Sequence, residues 1–173
     1  WDRENRLSRV TIGFGLWERL FSIMPFEDAL CALMEEPEAC YEFFSAMADH
    51  KIRLHDLVIK HYNPDVLIMH DDYGDGRSLF MAPDTWRELI KPLQKEIADT
   101  IHECGMLYMH HADCICQPIV TDMVEIGVDI WQGTIAQNDI PYIQKVTEGK
   151  LAMCGGVDGP KIDVEHITEE EIR

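Results

Sequence analysis

From Asp65 onward, short apolar runs of strand length alternate with helical patterns, the later repeats recurring every ~20 to 25 residues. Repeats that short carry one strand and one crossover each, and strands joined by crossovers lie parallel. Asp65-Val-Leu-Ile-Met-His70 is apolar at consecutive positions, the pattern of a strand covered on both faces. Met106 to Met109 follows a glycine stop at Gly105, Val128 to Gln132 follows Gly127, and Leu151 to Cys154 leads into Gly155-Gly-Val-Asp158. Val10-Thr-Ile-Gly-Phe-Gly15 adds a β-branched strand closed by glycine.

Helices fill the intervals. Leu16 begins a helical turn, Phe26 to Glu36 a short helix, and Pro37 a long one whose Phe44, Met47, Leu54 and Val58 share a face before Asn63-Pro64 breaks it. One helix, capped by Asp84, is predicted to carry Leu89, Leu93, Ile97 and Ile101 to Gly105. Pro118 opens another that Gly127 ends, and Asn138-Asp139 opens the last long one, which runs to Gly149.

Two parallel architectures compete. A doubly wound sheet favours a glycine-rich phosphate turn, and neither GxGxxG nor GxxxxGK[ST] occurs. A (β/α)8 TIM barrel gathers functional side chains at the C-terminal ends of several strands, and polar residues stand at four of them: His70 to Asp72, His110 to Cys116, Trp131-Gln132 and Asp158. The expectation is an α/β chain, residues 1–173, forming one domain that is an incomplete portion of a barrel, about five βα units. Closing it needs further strands or a partner. The absence of an initiator methionine, and the acidic helix start at Thr168-Glu-Glu-Glu-Ile-Arg173, read as a piece of a longer polypeptide.

Composition narrows the partners. The net charge of −17 opposes binding to a nucleic-acid backbone. No stretch approaches the ~18 to 20 uncharged residues of a membrane span, and Trp1-Asp-Arg-Glu-Asn-Arg6 is too charged for a signal peptide, so the cytoplasm is the expected location. Six cysteines dispersed in a core-rich chain read as reduced thiols, with Cys31, Cys40 and Cys104 as buried hydrophobes in helices.

The strand ends hold the chemistry. His111, Asp113, Cys114 and Cys116 offer imidazole, carboxylate and thiolate, a donor set that zinc accepts with a position left for substrate; a buried turn with two inert cysteines is the competing reading. Adjacent Asp71 and Asp72 can raise one another's pKa or hold a polar ligand, with His70, Tyr73 and His110 beside them; turn capping is the plain alternative. Trp131 and Gln132 suit a wall and an amide contact for a ring-like ligand, and Asp158 follows glycines that let backbone approach a ligand. The other histidines, on helical or terminal segments, receive no role.

Leu16-Trp-Glu-Arg-Leu with Met34-Glu-Glu-Pro-Glu, Val66-Leu-Ile-Met-His-Asp-Asp with Ser78-Leu-Phe-Met-Ala-Pro, Gly105-Met-Leu-Tyr-Met-His-His, Glu125-Ile-Gly-Val-Asp-Ile and Gly155-Gly-Val-Asp158 together resemble the uroporphyrinogen decarboxylase superfamily. The resemblance covers nearly the whole chain and is nearest the branch with cobamide-dependent methyltransferases. It implies a (β/α)8 barrel with its cleft at the strand C-termini, a small-molecule substrate, and a corrinoid protein as methyl-carrying partner; oligomers are compatible with it. Zinc methyltransferases of this branch resemble one another in a His-x-Cys pair completed by a later cysteine. With His111 in the histidine place, Asp113 stands where cysteine is expected, and Cys114 and Cys116 fall one and three positions late.

The expected function is methyl transfer between a small substrate and a corrinoid protein, zinc-assisted. Asp71, Asp72 and His110 would be catalytic, His70, Tyr73, Trp131, Gln132 and Asp158 would bind substrate, and His111, Asp113, Cys114 and Cys116 would bind metal. The alternatives are a porphyrinogen decarboxylase, whose octacarboxylate substrate suits an acidic cleft poorly, and a non-catalytic corrinoid-binding subunit.

Overall fold

The computed structural model describes every residue except 1, 3 and 173, so the ends of the charged opening and of the acidic closing stretch fall outside the described residues. Strands β1 (Arg9–Ile12), β2 (Val66–His70), β3 (Leu107–His111), β4 (Ile130–Thr134) and β5 (Ala152–Gly155) form one sheet in the order β1-β2-β3-β4-β5, each neighbouring pair parallel. That order decides between the two architectures. A doubly wound sheet reverses its growth at a switch point, whereas here each strand lies beside its predecessor in a constant direction. Right-handed crossovers repeated that way put the helices on one face, which makes the sheet an arc of a TIM barrel with a helix face and a lumen face.

Helices α1 (Leu16–Ile23), α2 (Phe26–Glu35) and α3 (Pro37–Tyr62) connect β1 to β2; α4 (Pro83–Leu89) and α5 (Lys91–Glu103) connect β2 to β3. A 3-10 turn (Gln117–Ile119) with α6 (Val120–Ile126) and then α7 (Ile140–Thr147) make the next two crossovers, and α8 (Gly159–Ile162) and α9 (Glu169–Ile172) follow β5. Pro37 lies in the first turn of α3, where its missing N–H costs nothing, and Asn63 ends that helix in the left-handed region with φ 44, its N–H returned to Ile59 and Val58. The helix expected from Asp84 to Gly105 is two helices. Pro92 has no N–H to send back to Glu88, and Ile90 departs from helical geometry at φ −113. Nor does Asp84 cap: Ala82 precedes α4, and Asp84 pairs with Arg87 at 2.9 Å.

Alternation along the strands sorts the side chains. Ile12, Leu67, Met69, Tyr108 and Trp131 belong to the core between the helix face and the helices, which contribute Phe44 of α3, Leu93, Ile97 and Ile101 of α5, and Met123 of α6. Each such apolar burial contributes about 1.5 to 3 kcal/mol before entropy is counted. On the opposite face Leu107 is 40% exposed, and Thr11, Ala152 and Cys154 are exposed as well. Register aligns these positions across the sheet. His70, His111, Gln132 and Cys154 make one row, and Met69, His110, Trp131 and Met153 the row beside it on the helix face.

Candidate functional site

The lumen row ends in a convergence of ligand atoms. His70, at the end of β2, His111, at the end of β3, and Asp72, two residues past His70, each bring one donor atom within 4.8 Å of the others. The two imidazoles are stacked, ring centroids 4.1 Å apart and 18° from parallel. His70 Nδ1 lies 2.7 Å from Glu18 Oε2, and His111 Nδ1 bonds to Gln132 Oε1. A carboxylate and an amide oxygen only accept, so each Nδ1 carries the hydrogen and a neutral ring keeps its lone pair on Nε2. Asp72 Oδ1 accepts the Asp113 N–H at 2.9 Å, which leaves Oδ2. One nitrogen of each ring and one Asp72 carboxylate oxygen thus lie within 4.8 Å of one another.

This arrangement fits a divalent metal. Two imidazoles and a carboxylate are zinc ligands that leave a fourth position for substrate, and outer partners such as Glu18 and Gln132 set ring tautomer and orientation in such sites. Burial and neighbouring charges shift two of these groups. Burial works against a charge on His70, but the hydrogen bond and charge of Glu18, with the charges of Asp72 and Asp71, hold its pKa above the ordinary value. Asp72 is also raised, by burial first and by the charges of Asp113 and Glu18, against the Asp113 N–H and the charge of His70. Each group therefore holds its proton more tightly than it would in water.

One residue away, the helix face does other work. Asp71 is fully buried, and its carboxylate accepts the N–H of Leu16 at 2.9 Å, Trp17 at 3.2 Å and Glu18 at 2.9 Å, capping α1 from a different strand. Gly15 makes this approach possible, since a Cβ there would sit 2.3 Å from Asp71 Cγ. Burial pushes the Asp71 carboxyl up to about 7, opposed by the three N–H groups. His110 sits in a closed polar ring: its Nδ1 is 3.0 Å from the Tyr108 hydroxyl, which donates to Gln94 Oε1, while Gln94 Nε2 donates to Tyr73, whose ring stacks on His110. Burial pulls His110 down to about 3, so it is neutral in the core. Trp131 is fully buried and donates Nε1–H to the Ala112 carbonyl at 2.8 Å.

The expected site residues are therefore divided. His70, Asp72, His111 and Gln132 come together on the lumen side; Asp71, His110, Tyr73 and Trp131 pack into the helix layer. Of the four expected metal ligands, only His111 joins the gathered group. Asp113 serves it through its backbone. Cys114 and Cys116 are fully buried, Sγ to Sγ 3.3 Å, in a loop pinned by Asn138, which accepts from the Cys116 and Gln117 N–H and donates to the Cys114 carbonyl. The bond to Cys114, and then burial, raises the Cys116 thiol well above its ordinary pKa, opposite to a ready thiolate. Asp158 precedes α8 and pairs with Lys161 at 2.6 Å. Reading the sequence missed Glu18, whose signal was an acid in a first helical turn, and Cys154, whose place in the lumen row shows only once register is known.

Comparison with known proteins adds to this geometry. The sequence profile of the family described as uroporphyrinogen decarboxylase (URO-D) matches residues 13–172. No curated protein matches the chain. A solved structure titled a methyltransferase from Methanosarcina mazei superposes with a TM-score of 0.66 at 13% identity, covering 84% of this chain and 42% of that one. The likeness is one of fold, and the present chain spans less than half of that protein's length.

Proposed function

The chain belongs to the uroporphyrinogen decarboxylase (URO-D) family, and from that premise we propose that it supplies the substrate-activating part of a methyltransferase. In this reading a methyl group moves between a small substrate and a corrinoid held by a partner protein. The observation that supports it is the convergence of His70, Asp72 and His111 at the strand C-termini, on the lumen face, where enzymes of the barrel fold hold their substrates. Zinc held by these three residues would supply Lewis acidity to a substrate oxygen or sulfur.

The chain's own residues supply binding and orientation. Glu18 and Gln132 fix the His70 and His111 tautomers, the Asp113 N–H holds one Asp72 oxygen, and the stacked imidazoles limit each other's rotation. A family decarboxylase with a carboxylate at the reacting centre is the less favoured reading, because Asp71 is engaged with three backbone N–H groups.

Elemental analysis of the purified protein tests the proposal. About one zinc per chain is expected, lost in a His70→Ala, His111→Ala variant and kept in a Cys114→Ser, Cys116→Ser variant. Metal lost from the cysteine variant and kept in the histidine variant would move the site to the buried thiols. Release of carbon dioxide from a porphyrinogen with no metal bound would favour the decarboxylase.

A further inference from the structure

We propose that Cys114 and Cys116 are a modification site, a thiol pair that hydrogen peroxide converts to a reversible disulfide within the loop after β3, and that closing the pair loosens Asp72. The disulfide stands apart from the proposed methyl transfer; only its effect on zinc rests on that reading.

Six cysteines are dispersed along the chain, and among the described residues only these two set sulfur against sulfur, at 3.3 Å. A disulfide bond is about 2.05 Å long, so the sulfurs need to close by about 1.3 Å. Cys31, Cys104 and Cys154 are exposed and meet an oxidant sooner, but the buried pair has its second thiol already in place. The loop holds it there: Asn138 bonds to the backbone of both cysteines, and the Ile115 N–H between them donates to the Asp75 carbonyl at 2.9 Å. The burial is shallow. Asp113 and Pro118 are exposed and Ile115 is half-buried. Ile115 and Gln117 also line, with Pro118, Thr121 and Tyr142, a cavity of about 400 Å³. Peroxide, little larger than water, approaches the loop from that side without the core opening.

One sulfur, as thiolate, attacks a peroxide oxygen: an S–O bond forms, the O–O bond breaks, and the hydroxide released takes up the thiol proton as water. The second sulfur then attacks the sulfenic sulfur, forming the S–S bond and expelling hydroxide, which leaves as water with the second proton. Two thiols lose two electrons, and one peroxide is reduced. A ring closed over the single residue Ile115 is strained, and strained disulfides yield readily to small thiols. The strain has one outlet. Upstream, Ala112 is fixed by its N–H on the Gln132 carbonyl and by Trp131 Nε1–H on its own carbonyl; downstream, Asn138 clamps 114, 116 and 117. Between them lies Asp113, whose N–H holds Asp72 Oδ1 at 2.9 Å. Cys116 is near enough for the charges of Asp72 and Asp113 to act on it. Closing the pair therefore shifts the Asp113 amide and releases Asp72, one of the metal candidates.

Peptide mapping by mass spectrometry tests this on the purified, reduced chain after hydrogen peroxide, catalase and alkylation in denaturant. The segment carrying residues 114 to 116 is expected unalkylated and lighter by two hydrogens than its thiol form, and open to alkylation again after dithiothreitol. Zinc affinity, read by competition with a chelator, should fall about tenfold on oxidation and recover with dithiothreitol. In a Cys114→Ser, Cys116→Ser variant, peroxide should leave zinc affinity unchanged. Sulfinic acid or intact thiols at 114 and 116, under conditions that oxidise Cys31 and Cys104, would overturn the proposal. A disulfide with unaltered zinc affinity would overturn the coupling to Asp72, as would an equal fall in the variant. A disulfide in a chain that binds no zinc even when reduced would sink the metal site and the coupling with it, and leave the modification site standing.

Discussion

The two faces of the sheet carry the same residue types to opposite ends. On the helix face, Asp71 and His110 are fully buried, their neighbours are backbone N–H groups and a closed ring of tyrosines and an amide, and burial favours the neutral form of each. On the lumen face, His70, Asp72 and His111 are half-buried, and a nitrogen of each ring and a carboxylate oxygen lie within 4.8 Å of one another. The first arrangement belongs to the packed core; the second gathers atoms of the kinds that can hold a metal ion. A shift of one residue along a strand separates them, so a histidine or aspartate at a strand end says little about function until its face is known.

The contrast can be broken most forcefully at Asp71. Asp71→Ala would leave three buried N–H groups without an acceptor and should cost about 3 kcal/mol or more in urea unfolding, with Asp71→Asn losing roughly half as much. Zinc content should hold in the Asn variant. Metal loss there without loss of stability would place Asp71 with the lumen group.

A smaller effect should appear with pH. His110 is depressed from 6.5 to about 3, so the unfolded chain takes up a proton that the folded chain refuses. The contribution is complete above pH 6.5 and is lost as pH falls toward about 3, at about 1.4 kcal/mol per pH unit within that window. A His110→Phe variant should show a shallower fall in unfolding free energy between pH 6.5 and pH 5, with residual contributions from His55, depressed to about 4, and, of opposite sign, from Asp71, raised to about 7. An unchanged slope would mean that His110 is not neutral in the core.

The smallest change in stability belongs to the lumen. Gln132→Ala should shift the urea midpoint by no more than about 0.5 kcal/mol, while weakening zinc binding about tenfold by releasing the His111 tautomer. Equal zinc affinity in a competition titration with a chelator would remove Gln132 from the site.

Much of the fold was legible because its signals are local. Gly105 and Gly127 stop helices, Asn63-Pro64 ends a long one, and the run Val66 to Met69 is apolar at every position, so the alternation of elements follows from neighbours in sequence. Pro92 divided a helix that the four-residue spacing of Leu89, Leu93 and Ile97 made continuous; side-chain periodicity does not register a missing N–H. The site was legible only as a region. The residues at 70 to 72 and 110 to 116 do surround it, but the choice among them depends on strand parity and on contacts made across more than 50 positions, such as Glu18 with His70 and Leu16 with Asp71. Cys114 and Cys116 carry metal-grade atoms in the right segment and are turned into the core by Asn138, about 20 residues downstream, an interaction with no local signature.

The cap on α1 has a consequence in time as well as in space. The first turn of a helix ordinarily frays, its amides opening and closing to water far faster than the core does. Here three consecutive amides are clamped by one buried carboxylate, and the third of them belongs to Glu18. The residue that orients His70 is thus lodged in a turn held closed, and the His70 ring takes its direction from a partner that does not fray.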